Sequence, residues 1–349
     1  MPNIAMRKNG SQGWEFVEAT GYQDEAALRD LLVQEPGLLP LSEIGINGDA
    51  AVAIKEFGLP GAGSSDVIVI DDSGAIAIVE CKLATNPERK RTVIGQVLDY
   101  ASALQMLDFD EFDSRVQQKT GRSLESLIEL AMTEESEFDS EKFGQRISEA
   151  LTAGSFSLVI AIDEMDESLR RILDYVSSRS RGELHIYGLS MRFHQGSKFE
   201  AIVPEISNPR SEVAQTQPVT HWNAERFRAA IQSADIAIRP ALSELLDFLL
   251  DNAAHEYWGI SESYGTFGFG VLRPDGRTMS LFTVYTNGTF YINAGTLKKQ
   301  APADIADRFM REISSIPNMD RAAESKSYPQ FQIKDTLAEK ATETASLQP

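Results

Sequence analysis

Two short apolar runs, Asp66-Val-Ile-Val-Ile70 and Ala75-Ile-Ala-Ile-Val-Glu-Cys-Lys82, flank the polar cluster Asp71-Asp72-Ser73-Gly74 and carry charges at their far ends. β-Branched runs separated by a turn cluster predict an antiparallel hairpin. Folding the chain at residues 71–74 brings Asp66 opposite Val79 or Glu80, depending on the register. Because side chains alternate along a strand, Glu80 and Lys82 share one face, and Cys81 turns to the other with Val79 and Ala77. Upstream, residues 23–35 read as a helix with Leu28, Leu31 and Leu32 on one side, ended by Pro36-Gly37. Glu25 lies at the edge of that apolar stripe, where a bland surface acid is less expected. Val52 to Phe57 predicts a first strand. Thr92 to Leu107 predicts a helix, with Val93, Val97, Tyr100 and Leu104 at helical spacing. The order is helix, three strands, helix.

Residues 109–153 are polar and helical in pattern, with Leu124, Leu127, Ile128 and Leu130 followed by Phe143, Ile147 and Leu151, and read as an inserted pair of helices. Strand character returns at Ser157–Ile162, a helix follows over Glu167–Ser178, and Leu184–Phe193 is a further strand. Such a crossover implies parallel pairing. Phe199–Val203 supplies an edge strand. The segment 208–223 lacks periodicity, carries Pro209 and Pro218, and reads as a linker. A second unit spans 224–318, with helices over Ala224–Gln232 and Pro240–Asp251. Turn signals at Arg273–Gly276 and Tyr285–Gly288 separate three aromatic-rich strands, and Pro302–Ile313 forms a closing helix. Residues 319–349 are charged and poor in large apolar side chains, the composition of a flexible tail. The expected fold class is α/β with a mixed sheet and a helical insertion within residues 1–207, plus a smaller C-terminal α+β domain.

Composition narrows the class. With 349 residues, 42% hydrophobic and 24% charged, the chain has ordinary globular make-up and length enough for two cores. One cysteine excludes an intrachain disulfide and a cysteine-rich zinc ribbon, which suits a reducing compartment. No apolar stretch approaches the roughly 20 residues of a membrane helix, and the opening MPNIAMRKNG lacks a signal-peptide core. A cytoplasmic protein with no membrane partner is expected. The net charge of −19 argues against non-specific coating of nucleic acid. It leaves room for a local basic groove, since Lys82, Arg89, Lys90 and Arg91 cluster beside the hairpin.

Like charges brought side by side repel unless a cation joins them, so Asp66, Glu80 and Lys82 together read as a divalent-metal site with an attendant lysine. Taken singly, each acid is equally a strand-end charge at solvent, and the lysine a snorkelling surface residue. The conjunction is what points to chemistry. Cys81, facing away from the lysine, reads as a small core hydrophobe. His185 and Arg192 fall on a strand of the same sheet, and the aromatic residues of the second unit read mainly as core, with stacking on unpaired bases as the alternative.

The helical Glu25, Asp66 at a strand start, Glu80-Cys81-Lys82 on the next strand, and Gln96 with Tyr100 on the following helix resemble the PD-(D/E)XK nuclease superfamily. Within it, the branch containing archaeal-type mismatch endonucleases and related bacterial proteins is the most similar. The resemblance covers about residues 20–205 and implies a restriction-endonuclease-like αβββαβ core. It implies that Asp66 and Glu80 bind Mg²⁺ or Mn²⁺ with the backbone carbonyl of Cys81, that Glu25 reaches the metal through water, and that Lys82 orients the attacking water. Gln96 then shapes the site, and Arg89, Lys90, Arg91 and Tyr100 are candidates to contact nucleic acid. Ser65 stands where the family has a proline before the first acid. That proline is not a ligand. The implied activity is metal-dependent phosphodiester hydrolysis, foremost by a DNA endonuclease in defence, restriction or repair. A catalytically silent binding module of the same fold, or a nuclease subunit needing a partner, is the alternative. Nucleic acid, DNA ahead of RNA, is the expected partner, with a homodimer or partner subunit also open.

Overall fold

The computed structural model describes residues 4–7, 9–10, 12–85, 89–133, 138–180, 184–207, 222–259, 264–273, 275–322 and 327–336. The chain divides into two compact units, one of Met1–Leu107 and Asp113–Thr216, the other of Asp108–Phe112 and Gln217–Pro349. In the first, the order is β1 (Ile4–Met6), β2 (Glu15–Thr20), α1 (Glu25–Gln34), β3 (Ala51–Leu59), β4 (Gly63–Asp71), β5 (Ile76–Lys82) and α2 (Arg89–Gln105). Then come α3 (Phe109–Thr120), whose first residues, to Phe112, fall in the second unit, α4 (Leu124–Ala131), α5 (Ser140–Ala153), β6 (Phe156–Ile162), α6 (Glu167–Arg179), β7 (His185–Gln195) and β8 (Glu200–Ser207). The eight strands form one mixed sheet in the order β1-β2-β7-β6-β5-β4-β3, with β8 also paired to β7. β5, β6 and β7 run parallel, and β3, β4 and β5 form an antiparallel meander.

β4, β5 and β6 are near-continuous apolar runs because both faces of the sheet are covered. On one face Leu28 and Leu32 of α1 join a core with Val67, Val79, Cys81 and Val159. On the other, α2 packs against β5 and β6, and its Val93, Val97 and Leu104 are buried. Two details of this unit differ from the sequence-based expectation. The N-terminal hairpin β1–β2 was not foreseen, since its strands are short and half-exposed. The insertion holds three helices instead of two. Phe109, Phe112 and Val116 give the extra helix α3 a buried stripe inside a very polar stretch, and Gly121, at φ 79°, takes the left-handed conformation just beyond its end.

The second unit contains α7 (Ala224–Ile231), α8 (Arg239–Asn252), β9 (His255–Trp258), β10 (Thr266–Leu272), β11 (Thr278–Tyr285) and β12 (Thr289–Ile292). It continues with α9 (Ala294–Gln300), α10 (Ala303–Ser314) and β13 (Gln330–Gln332). Its antiparallel sheet has five strands, β13-β12-β11-β10-β9, where the pattern predicts three. β13 falls in the stretch read from sequence as a flexible tail, yet it pairs with β12 and buries Phe331. Three residues carry too little pattern to register as a strand. Large aromatic side chains build this core, as the small sheet requires: Phe269 stacks between Phe248 and Phe282, with ring centroids 5.3 and 5.1 Å apart. Of the segment read as a linker, 208–221 lies outside the described residues, and Trp222 is buried in the second unit's core. Among the described residues no helix is long and apolar enough to cross a membrane.

Candidate active site

The hairpin register settles which residues meet. Val67 pairs with Val79, so one step further along the strands Asp66 faces Glu80. An Oδ2 of Asp66 accepts the Cys81 backbone N–H at 2.8 Å, which fixes that carboxylate against the end of β5. Glu80 lies on the same face and is almost wholly buried, its side chain 3% exposed. Lys82 follows two residues on and donates to Glu80 Oε1 at 2.7 Å. Glu25, the first residue of α1, reaches in from the opposite side of the sheet. Its Oε2 lies 3.6 Å from Lys82 Nζ, and its Oε1 accepts the Leu83 N–H at 3.5 Å. The N-cap Asp24, accepting the Ala27 N–H at 2.8 Å, starts the helix at the residue that lets Glu25 do this.

The electrostatics follow from burial. Loss of water and then the neighbouring Asp66 charge push the Glu80 carboxyl up to about 7, against the hydrogen bond from Lys82. Its second oxygen, Oε2, is buried with no hydrogen-bond donor. For Lys82, burial favours the neutral amine, but the hydrogen bond to Glu80 and the charges of Glu80, Glu25 and Asp66 outweigh it and raise its pKa. Lys82 is therefore an ammonium donor at neutral pH. Burial first, then Asp66 and Glu80, raise the Cys81 thiol well above its ordinary value, and its side chain sits in the α1-facing core. A nucleophilic role for that sulfur has no support.

Tyr100 of α2 is buried and has its pKa raised by burial and then by the charges of Glu80 and Asp66, so the helix brings the phenol to the carboxylates. Gln96 lies one turn earlier on α2 and is half-buried. Residues 89–91 form the first turn of α2, and the side chains of Arg89, Lys90 and Arg91 lie outside the described residues. Arg192 pairs with Glu205 on β8 at 2.6 Å, which accounts for it structurally.

Three residues at the site escape the sequence reading. Arg29, one turn past Glu25 on α1, places Nη1 at 2.9 Å from Glu56 and 3.9 Å from Asp66. Glu56 stands across from Asp66, between the pairs Lys55↔Val67 and Phe57↔Ser65, and adopts φ 49°. Asp163, directly after β6, accepts the Ala84 N–H at 2.6 Å and ties down the loop that leaves β5. The i, i+4 spacing of Glu25 and Arg29 was the available signal for the first of these. Nothing local marks the other two.

Among the described residues no group of three or more His, Cys, Asp or Glu side chains is gathered to hold a metal ion. The two carboxylates present do suit Mg²⁺, which binds through one or two carboxylates and keeps water or substrate oxygens in its other positions. The undonated Oε2 of Glu80 and the paired acids fit such a cation. Compared with protein-family models, curated proteins and solved structures, the chain finds no match in any of the three.

Proposed function

We propose that the protein is a metal-dependent phosphodiester hydrolase acting on nucleic acid, most simply a DNA endonuclease of defence, restriction or repair, built on a restriction-endonuclease-like core. The observation that carries the reading is the buried Glu80 carboxylate, one oxygen lacking a donor, lying beside Asp66 and bonded to an ammonium two residues on. Burying two adjacent acids as carboxylates is unfavourable unless a proton or a cation compensates them, and above the raised pKa of Glu80 only a cation can. Asp66 and Glu80 would hold Mg²⁺ or Mn²⁺, which would supply Lewis-acid stabilisation of charge on phosphate. The chain's own residues do the rest. The Cys81 N–H holds Asp66 in place, Lys82 presents an ammonium to the attacking water or to a phosphate oxygen, and Glu25 steadies Lys82 from α1. Tyr100 closes the α2 side of the site.

The test is cleavage of plasmid and single-stranded DNA by the purified protein with Mn²⁺ or Mg²⁺. Activity is expected to vanish in EDTA and in Lys82→Ala, with the fold of the variant unchanged by circular dichroism. Equal cutting by Lys82→Ala would falsify the mechanism. A second reading, a silent scaffold of the same fold, draws on the ion pairs that already satisfy Lys82 through Glu80 and Glu25. Calorimetric titration with Mn²⁺ separates the two: heat that disappears in Asp66→Ala favours the hydrolase, and no heat in either protein favours the scaffold.

A further inference from the structure

Arg29 and Glu25 project from the same face of α1, since residues four apart lie one above the other. The Arg29 side chain is 15% exposed, yet its guanidinium touches three acids. Nε lies 3.2 Å from Asp30, and Nη1 lies 2.9 Å from Glu56 and 3.9 Å from Asp66. Asp30 is already paired to Lys55 at 2.6 Å, and Asp66 already accepts the Cys81 N–H. Asp30 takes a hydrogen bond from Arg29 Nε, and Glu56 is the acid closest to Arg29 Nη1, the end of the guanidinium that reaches toward Asp66. Glu56 does so from an unfavourable backbone position. A φ of 49° in the middle of β3 is the left-handed region, which is sterically unfavourable for a non-glycine residue. The Glu56 side chain is also 47% exposed, where an ion pair is weak. Strain of this kind persists where the surroundings impose it, and it gathers at ligand sites.

We propose that Arg29 is a phosphate-binding subsite beside the Asp66–Glu80 pair and that the Glu56 carboxylate is a stand-in anion, displaced when a nucleic-acid phosphate arrives. A guanidinium offers a planar fork that matches two phosphate oxygens, so exchange of carboxylate for phosphate preserves charge balance and improves geometry. Glu56 has somewhere to go, because Lys119 Nζ lies 3.6 Å from its other oxygen. The location of the subsite rests on the hydrolase reading given above, but phosphate binding by Arg29 does not need cleavage.

The experiment measures fluorescence anisotropy of a labelled DNA oligonucleotide, single-stranded and as a duplex, in EDTA, with thermal melts to confirm folding. Arg29→Gln is expected to weaken binding about tenfold, the size of one charge-assisted hydrogen bond, and Arg29→Lys to fall between it and the wild type. Glu56→Gln is expected to tighten binding a few-fold, because the competing anion is gone, and this second variant keeps the proposal testable where Arg29→Gln fails to fold. Unchanged binding in both Arg29→Gln and Glu56→Gln, with the wild type cutting DNA in Mn²⁺, overturns the subsite and leaves the hydrolase. Weakened binding in Arg29→Gln and tightened binding in Glu56→Gln, with a wild type that never cuts, supports the subsite and overturns the hydrolase. A wild type that binds neither form of DNA in EDTA overturns the subsite, and cleavage in Mn²⁺ decides the hydrolase separately.

Discussion

A carboxylic acid buried beside a second carboxylate holds its proton, and for Glu80 that has a measurable consequence. Burial and then Asp66 raise its pKa to about 7, while the unfolded chain keeps the ordinary value of 4.5. Between those values the folded protein binds more protons than the unfolded one, so stability falls as pH rises from about 4.5 to about 7. Above that range the full penalty is present, on the order of 3 kcal/mol. Thermal melts in EDTA should therefore show a decline from pH 5 to pH 8 that becomes shallower in Glu80→Gln, the remainder coming from Glu149, which burial also pushes up to about 7. Adding Mn²⁺ at pH 8 should restore the lost stability, because a ligand that binds only the folded state stabilises it by mass action. Lys82→Ala removes the one hydrogen bond that favours the charged form, and the decline is expected to move to higher pH. Asp66, Glu80 and Lys82 were legible as a group because strand alternation and a hairpin turn specify which side chains share a face. Arg29 was not. A helical arginine between Leu28 and Asp30 looks like any solvated residue until β3 and β4 are placed beneath it.

The hairpin that carries the site depends on a residue the turn pattern made look ordinary. Asp71 is fully buried, and its carboxylate accepts from Asn47 N–H, Gly48 N–H, the Ser73 hydroxyl and Ala75 N–H at 2.7 to 2.9 Å. It closes the β4–β5 turn and pins the segment before β3 to it. Gly74, at φ 83°, completes the turn, and a side chain there would come within 2.7 Å of the Arg146 Cβ. Asp71→Ala leaves several buried donors unsatisfied and is expected to lower stability by at least about 3 kcal/mol, read as a shift of the urea midpoint. If the proposed hydrolase is correct, cutting by Asp71→Ala should fall with the folded fraction, whereas Lys82→Ala should lose cutting while fully folded. That contrast tells support from chemistry. The sequence marked residues 71–74 as a turn from composition alone. Two of the donors to Asp71 come from more than twenty residues upstream, and no local pattern reports them.

Two compact units predict two unfolding steps rather than one cooperative transition. Leu28→Ala, in the α1-facing core of the first unit, should lower one calorimetric transition by about 2–5 kcal/mol. Phe331→Ala, in β13 of the second, should lower the other by about 3–5 kcal/mol. A Phe331→Ala protein with unshifted transitions would return that segment to the flexible tail its composition suggested. By itself the sequence determined the long elements: α1, the β3–β4–β5 meander, α2 and the β6–α6–β7 crossover carry apolar periods of 2 or 3.6, and burial makes those periods obligatory. It also determined that Asp66, Glu80 and Lys82 lie at one end of one hairpin. Tertiary structure alone decided the short strands β1, β9 and β13, whose three or four residues gain stability only from neighbours already in place. It alone set Arg29 and Glu56 beside Asp66 and Asp163 against the loop that leaves β5, because contacts between elements depend on how sheet and helices pack, and the i, i+4 spacing of Glu25 and Arg29 does not say what lies beneath them.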